Sequence, residues 1–396
     1  MNKKFTWRAV AILFSITLIA ANLRAPITSI GPVIPEITSQ LHLTPILVGL
    51  ITAIPLICFS LFSTFTPRIS GILGLEKSLL YSILLLAIGL FTRSAGNIFF
   101  LFLGSAFIGI AITIGNVLMP AFIKKKFPYK IGLVTGIYLV SMNLMSALAV
   151  GYSISIGKIG SLGWKGSIGI WGVLALVTFF CWLPLVQKSQ SVTARPSATV
   201  IQTMWKSRLA WQISIFMGLQ SFVFYILAAW LPAMLQSWGM PAERAGWMLS
   251  YVQMGQVPIM LFGPLLAGKM KNQTALIWLT FILLFAGLMM IIIWKTEYIV
   301  AAVLLVGIAA GLAYALAMMF FVLRTRNVPE SAALSGMSQS VGYFIAACGP
   351  PIFGMLYGWT RYWLLSLSLL VLAAFILLFT GLNAAQDRYV SELKEG

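Results

Sequence analysis

Of the 26 lysines and arginines in this sequence, Arg24 alone falls inside a long apolar run, where NLRAPITSIGPVIPEI follows AVAILFSITLIAA. Sixteen residues separate it from Arg8 and twelve from Glu36. At roughly 1.5 Å per residue those intervals are about 24 Å and 18 Å along a helix, too far for the side chain to reach either end. A guanidinium so placed costs at least about 2.5–3.5 kcal/mol and persists where it is paired, solvated or functional. Its chemistry is that of a fixed cation with a planar donor fork, which attracts and orients an anion or the negative end of a polar ligand. The competing structural reading has it satisfied by carbonyls freed at Pro26 or by a neighbouring helix. On a continuous helix Arg24, Thr28, Gly31 and Pro35 share one face, at i, i+4, i+7 and i+11, while Asn22 lies about 200° from Arg24. Both cannot face one ligand directly, so Asn22 is either a ligand contact or an interhelical hydrogen-bonding residue.

Other hydrogen-bonding side chains are set singly into apolar runs: Asn116, Tyr138, Ser141, Asn143, Gln220, Tyr225, Gln253, Gln256, Tyr314, Gln339 and Tyr343. Gln339 and Tyr343, at i and i+4, share a face, as do Gln253 and Gln256 at i and i+3. Any one of them can equally be packing glue between helices. As a set they describe a wet cavity whose neutral wall, opposite one arginine, suits a small, planar, singly charged or strongly polar ligand.

The remaining chemistry is excluded by position. All eight acids, Glu36, Glu76, Glu243, Glu297, Glu330, Asp387, Glu392 and Glu395, fall at the ends of apolar runs, in loops or in the tail, and the sole histidine, His42, is in a loop. Without a dedicated proton carrier inside a run, proton coupling would use Glu36, His42 or the ligand's own protonation. Cys58, Cys181 and Cys348 each lie in an apolar run without metal-ligand spacing, so neither a disulfide nor a metal site is expected. GPLLAGK (263–269) lacks the Gly-Lys-Ser/Thr ending of a phosphate loop. No nucleophile is set with a base, so an enzyme is not expected, and no cofactor is implied.

The elements that must position these residues follow from composition. Sixty per cent hydrophobic residues, 9% charged residues and a mean hydropathy of +0.98 exclude a water-soluble chain. The net charge of +18 does not indicate nucleic acid, because the basic residues sit in short gaps between apolar runs. Those runs predict an all-α membrane protein with twelve spans, near 9–36, 44–66, 78–95, 98–123, 131–157, 166–186, 208–236, 243–268, 273–294, 298–323, 332–357 and 361–382. Lys3, Lys4 and Arg8 before an apolar run resemble a secretory signal, but the first span is read as retained, since its loss would break an internal repeat. Counting alternate loops from a cytoplasmic N-terminus puts nineteen basic residues inside and six outside, Arg93 among the six, which predicts both termini in the cytoplasm. Interfacial anchors are expected at Trp7, Trp164, Trp238, Trp359 and Trp363, with Trp230 either an anchor or a cavity wall.

The polar stretch at 187–206 divides the chain into six-span bundles at 1–186 and 207–396, the second ending in a short cytoplasmic tail. The bundles repeat at an offset near 200: Arg8 with Arg208, Pro32 with Pro232, Lys126 with Arg326, Gly136 with Gly336 and, after a slip of one, Pro128 with Pro329. Parallel six-helix repeats are an architecture of secondary transporters, although an old duplication in another membrane protein would leave the same trace. NLRAPITSIGPVIPEI (22–37), KKFPYKIGLVTGIY (125–138), WKSRLAWQISIFMGLQSFVFYILAAWLPAML (205–235) and ALSGMSQSVGYFIAACGPPIFG (333–354) resemble the cyanate/nitroimidazole (CynX/NimT) branch of the major facilitator superfamily. The resemblance implies an alternating-access transporter for a small molecule, with a central cavity between the halves lined by the polar residues above. The expected partners are that solute, the lipid bilayer of the cytoplasmic membrane and, for coupling, protons; the expected state is a monomer. A neutral nitroimidazole-like solute for export, or a receptor role, is the alternative. The superfamily's gating loop carries an Asp-Arg pair. Here PRISGILGLEK (67–77) keeps Arg68, Gly71, Gly74 and Lys77 without the acid, and so is either a modified latch or a basic turn.

Overall fold

A computed structural model describes residues 7–159, 163–187 and 198–391, and its regular structure is helical. Its first nine elements are α1 (Trp7–Thr28), a 3-10 turn (Gly31–Val33), α2 (Ile34–Leu41), α3 (Pro45–Phe62), α4 (Thr66–Leu73), α5 (Leu75–Arg93), α6 (Ile98–Lys126), α7 (Ile131–Gly157) and α8 (Gly163–Gln187). They are followed by α9 (Ala198–Lys206), α10 (Arg208–Ser237), α11 (Ala242–Ala267), α12 (Thr274–Trp294), α13 (Ile299–Leu323), α14 (Val328–Thr360) and α15 (Trp363–Ala384). Helices are what apolar runs of this length must form in lipid, where every backbone group has to be satisfied within its own segment. Among the described residues eleven stretches are long and apolar enough to cross a membrane. Ala53–Phe62 and Thr66–Leu73, bent by 63° at a short break, make a twelfth if they count as one span.

Two local readings change. The first span is not one helix to residue 36: α1 stops at Thr28, and the chain passes through the 3-10 turn before α2. Pro32 and Pro35 have no N–H to return to the preceding turn, which ends the regular ladder. Arg24 and Thr28 therefore share a helical face, but Gly31 and Pro35 do not continue it. The second change is at 67–77. Rather than a loop, this segment is mostly α4, which carries Arg68 and Gly71. The reversal is confined to Gly74 at φ 84°, a conformation that favours glycine, and Lys77 lies in the first turn of α5.

The described residues form two compact units, one from Met1–Lys126 with Ile137–Pro196, the other from Phe127–Gly136 with Ser197–Gly396. The division departs from a cut at the midpoint in one place: the start of α7 groups with the second unit. There the Leu261 carbonyl would lie 2.9 Å from a Cβ at Gly136, and Gly132 meets the Pro264 carbonyl with no room for a Cβ at all. In the first unit α5 packs on α6 and α8, and α3 on α6. In the second α10 packs on α14 and α15, and α13 on α11 and α12. The expected linker lies partly outside the described residues; its described end is α9, whose Trp205 meets Trp211 edge to face at 5.6 Å.

Each unit is clasped where its helices end on the linker side. In the first, the buried Glu76 carboxylate at the start of α5 pairs with Lys125 at 3.0 Å and Lys126 at 2.9 Å, both at the end of α6. The Trp182 indole of α8 donates to the Glu76 carbonyl at 2.9 Å. In the second, Arg324 is only 2% exposed. Its Nε donates to Ala384 O at 2.7 Å and its Nη2 to Ala385 O at 2.7 Å and to Gln273 Oε1. Burial lowers the Arg324 pKa from its ordinary value, and Asp387 and Tyr389 act to raise it. Arg324 and Arg93 both entered the topology count as loop charges, yet both are interior groups.

Candidate solute-binding site

Arg24 is half-buried on α1 between Leu23 and Ala25, which are fully covered. Four residues on, Thr28 Oγ1 donates to Arg24 O at 3.2 Å and approaches Ser146 O of α7 at 3.4 Å. Just past the end of α1, Ser29 O accepts from Ser153 of α7 at 2.9 Å. Seryl and threonyl hydroxyls of α1 and α7 thus fix the end of the helix that carries Arg24. Asn22 points elsewhere: it is buried, and its Nδ2 donates to Leu18 O at 2.9 Å and to Thr178 Oγ1 of α8 at 2.8 Å. Of its two readings, the interhelical one is the arrangement observed.

Within the first unit the structure brings two of the expected residues together, since the Tyr138 hydroxyl donates to Asn116 Oδ1 at 3.2 Å and both side chains are buried. Asn143 is buried and donates to Leu139 O of its own helix at 3.0 Å. In the second unit Gln220 is buried and its Nε2 stays local, donating to Met217 O at 3.0 Å and to the neighbouring Ser221 Oγ. Tyr225 is half-buried, with its ring 5.4 Å from that of Phe224, and Tyr314 is half-buried. Gln339 and Tyr343 are both buried, and Gln339 Nε2 donates to Ser335 Oγ at 2.9 Å. The i, i+3 pair on α11 does not share an environment. Gln256 is buried where Gly311 packs against it, whereas Gln253 is exposed. A separation of about 60° around the helix is enough to put one amide in the packing and the other outside it.

The two coupling candidates have structural duties. Glu36 Oε1 accepts from the Trp164 backbone N–H at 3.2 Å, in the first turn of α8, and from Gln40 Nε2 at 3.2 Å; the Trp164 indole donates to Gln40 Oε1 at 2.9 Å. A carboxylate at a helix N-terminus is favoured by the helix dipole. His42 is exposed and closes α2 in the left-handed region at φ 50°. Trp230 donates to Pro350 O at 2.9 Å and packs near Phe353 and Trp363, as a helix brace does. A cavity of about 330 Å³ at the start of α11, lined by Pro241, Arg244, Trp247, Met248, Tyr251 and Val300, contains none of the expected site residues.

Sequence reasoning missed Arg93. It is 1% exposed, and its Nη2 donates to Pro26 O at 2.6 Å, two residues beyond Arg24. Its position at the end of an apolar run looks the same for a surface charge and a buried one, so no sequence signal separated the two.

Residues 9–347 match the Major Facilitator Superfamily. The chain belongs to that superfamily. It is 38% identical to an uncharacterized transporter, YycB, of Bacillus subtilis (strain 168), over 98% of this chain and 96% of that protein. The Escherichia coli (strain K12) 2-nitroimidazole transporter is 32% identical over 96% and 97% of the two chains. The E. coli (strain K12) cyanate transport protein CynX is 25% identical over 87% and 89%. The fold is similar to that of the proton:xylose symporter XylE, with a TM-score of 0.76 at 13% identity over 97% of this chain and 98% of that one. As a superfamily member of the cyanate/nitroimidazole branch, the chain is a multi-pass membrane transporter of small solutes and not an enzyme.

Proposed function

We propose that the chain carries a small anion across the cytoplasmic membrane by alternating access, with Arg24 as the fixed cation that binds it. The observation that supports this most is a half-buried guanidinium between fully covered neighbours, at the end of a helix that proline then interrupts. An anion leaving water loses hydration that neutral amides and phenols replace only in part, and a preoriented guanidinium supplies much of the rest. Asn116, Tyr138, Asn143, Gln220, Tyr225, Gln253, Tyr314, Gln339 and Tyr343 are the other proposed contacts. Arg68, Gly71 and Lys77 belong to the gate. Both termini and the 187–206 linker face the cytoplasm, and the protein works as a monomer. Any proton dependence follows Glu36, His42 or the solute's own pKa.

A relative named as a 2-nitroimidazole transporter, 32% identical over nearly the whole chain, supports a second reading in which the solute is an uncharged nitroaromatic. Thermal unfolding of the purified protein separates the two. A ligand at 100 times its Kd stabilises by about 2.7 kcal/mol. Stabilisation by cyanate that is lost in Arg24→Ala supports the anion; stabilisation by 2-nitroimidazole alone, retained in Arg24→Ala, supports the nitroaromatic.

A further inference from the structure

Arg93 ends α5 with its guanidinium enclosed, holding the Pro26 carbonyl at 2.6 Å through Nη2 while its Nε is buried without a hydrogen-bond partner. Among the described residues it forms no ion pair. A bond to a proline carbonyl does not need a cation, since in the second unit the neutral Trp230 indole holds Pro350 O at 2.9 Å. Arginine stays charged wherever it is put, and enclosing that charge against a single carbonyl costs more than the bond returns. The charge is therefore available for something besides the brace. Pro26 is two residues beyond Arg24, about 3 Å along the helix axis at roughly 1.5 Å per residue.

We propose that Arg93 is a second fixed cation of the solute site, set behind α1, which raises the positive potential at Arg24 without touching the solute. This rests on the reading that Arg24 meets an anion. Interior charges are weakly screened, so a guanidinium bonded two residues beyond Arg24 repels the one on Arg24, and an anion arriving at Arg24 relieves both. Arg93 is thus a positioning and field-setting residue, and its effect is selective for solute charge. A helix brace would act on anionic and neutral solutes alike.

The test uses the full-length protein in detergent or liposomes at mildly acidic pH, where 2-nitroimidazole keeps its ring proton and cyanate is still an anion, with both as probes. Arg93→Gln removes the charge and keeps a donor for Pro26 O. It is expected to weaken cyanate binding about 10-fold, which is about 1.4 kcal/mol, and to leave 2-nitroimidazole within about twofold. Arg93→Lys, which keeps the charge, is expected to retain most of the cyanate affinity. Arg93→Met replaces a buried ion by an apolar chain of similar length, a change that folded proteins often tolerate, and it repeats the test if the glutamine variant does not fold. Wild-type cyanate affinity in the uncharged variants, an equal loss for both solutes, or a lysine variant as weak as the glutamine one would overturn the proposal. Arg24→Ala is measured in parallel. If it binds cyanate normally, the reading of Arg24 has failed and this inference falls with it; if it loses cyanate while Arg93→Gln does not, only the inference falls.

Discussion

The two units solve the same packing problem with different chemistry. The first ties its helix ends with charge: Glu76 to Lys125 and Lys126 on the linker side, Glu36 to the start of α8 and Arg93 to Pro26 O on the other. The second uses a guanidinium bound to carbonyls and an amide on the linker side. On the other it uses aromatic contact: Trp363 stacks on Tyr357 at 3.7 Å and donates to Ser237 at 2.7 Å, while Trp230 holds Pro350 O. Glu76 and Gln273 occupy corresponding places at the starts of α5 and α12, and each bonds to a cation from the end of the next helix. The two units thus place a joint at corresponding helix ends and build it from different chemistry. Arg93 meets α1 two residues beyond Arg24, and that helix end is where the solute's charge is proposed to bind.

Breaking the second unit's joint should have the largest effect. Arg324→Ala removes the donor to two carbonyls and to Gln273, and each acceptor left buried without a partner costs about 1–3 kcal/mol. The expected result is a clear fall in thermal stability in detergent, together with faster proteolysis after Ala385, because the Ala384 and Ala385 carbonyls lose their donor. In the first unit Glu76→Gln keeps the backbone bond to Trp182 and loses the ion pairs. Since Lys125 and Lys126 are 19% and 28% exposed, the expected loss is smaller, about 1–2 kcal/mol, and shrinks further at high salt. A Glu76→Gln effect larger than that of Arg324→Ala would reverse the ranking of the two joints. Smallest is Asn22→Leu, which removes one interhelical bond worth about 0.6 kcal/mol on average. It should leave solute affinity unchanged, and a loss of affinity there would move Asn22 into the site.

That the apolar runs are helices was readable because runs of this length match the thickness of a bilayer, inside which a helix satisfies its own backbone. The break after Thr28 was readable in principle, since Pro32 and Pro35 each remove a donor, but hydrophobicity continues across it and masks the stop. PRISGILGLEK was read as a turn because of its glycines and charges; Gly71 and Arg68 nonetheless fit a helix once Gly74 supplies the reversal. The site divided in the same way. Arg24 stood out by being alone in its run, and the 200° separation left Asn22 either in the site or between helices, a choice that the bond to Thr178 resolves only in the structure. Whether Gln253 or Gln256 would be covered depends on which helix packs alongside α11, and the face shared on a helical wheel does not carry that information. Arg93 was hidden for the same reason, because tertiary packing against α1 decides its burial.

The central claim is that Arg24 binds an anionic solute, and uptake of radiolabelled cyanate into liposomes reconstituted with the wild type, Arg24→Ala and Arg24→Lys tests it most directly. Uptake should vanish in Arg24→Ala, whose thermal stability should stay near that of the wild type, and a weak residue should remain in Arg24→Lys, which keeps the charge without the planar fork. Wild-type uptake by a folded Arg24→Ala protein would contradict the account and make Arg24 a structural arginine.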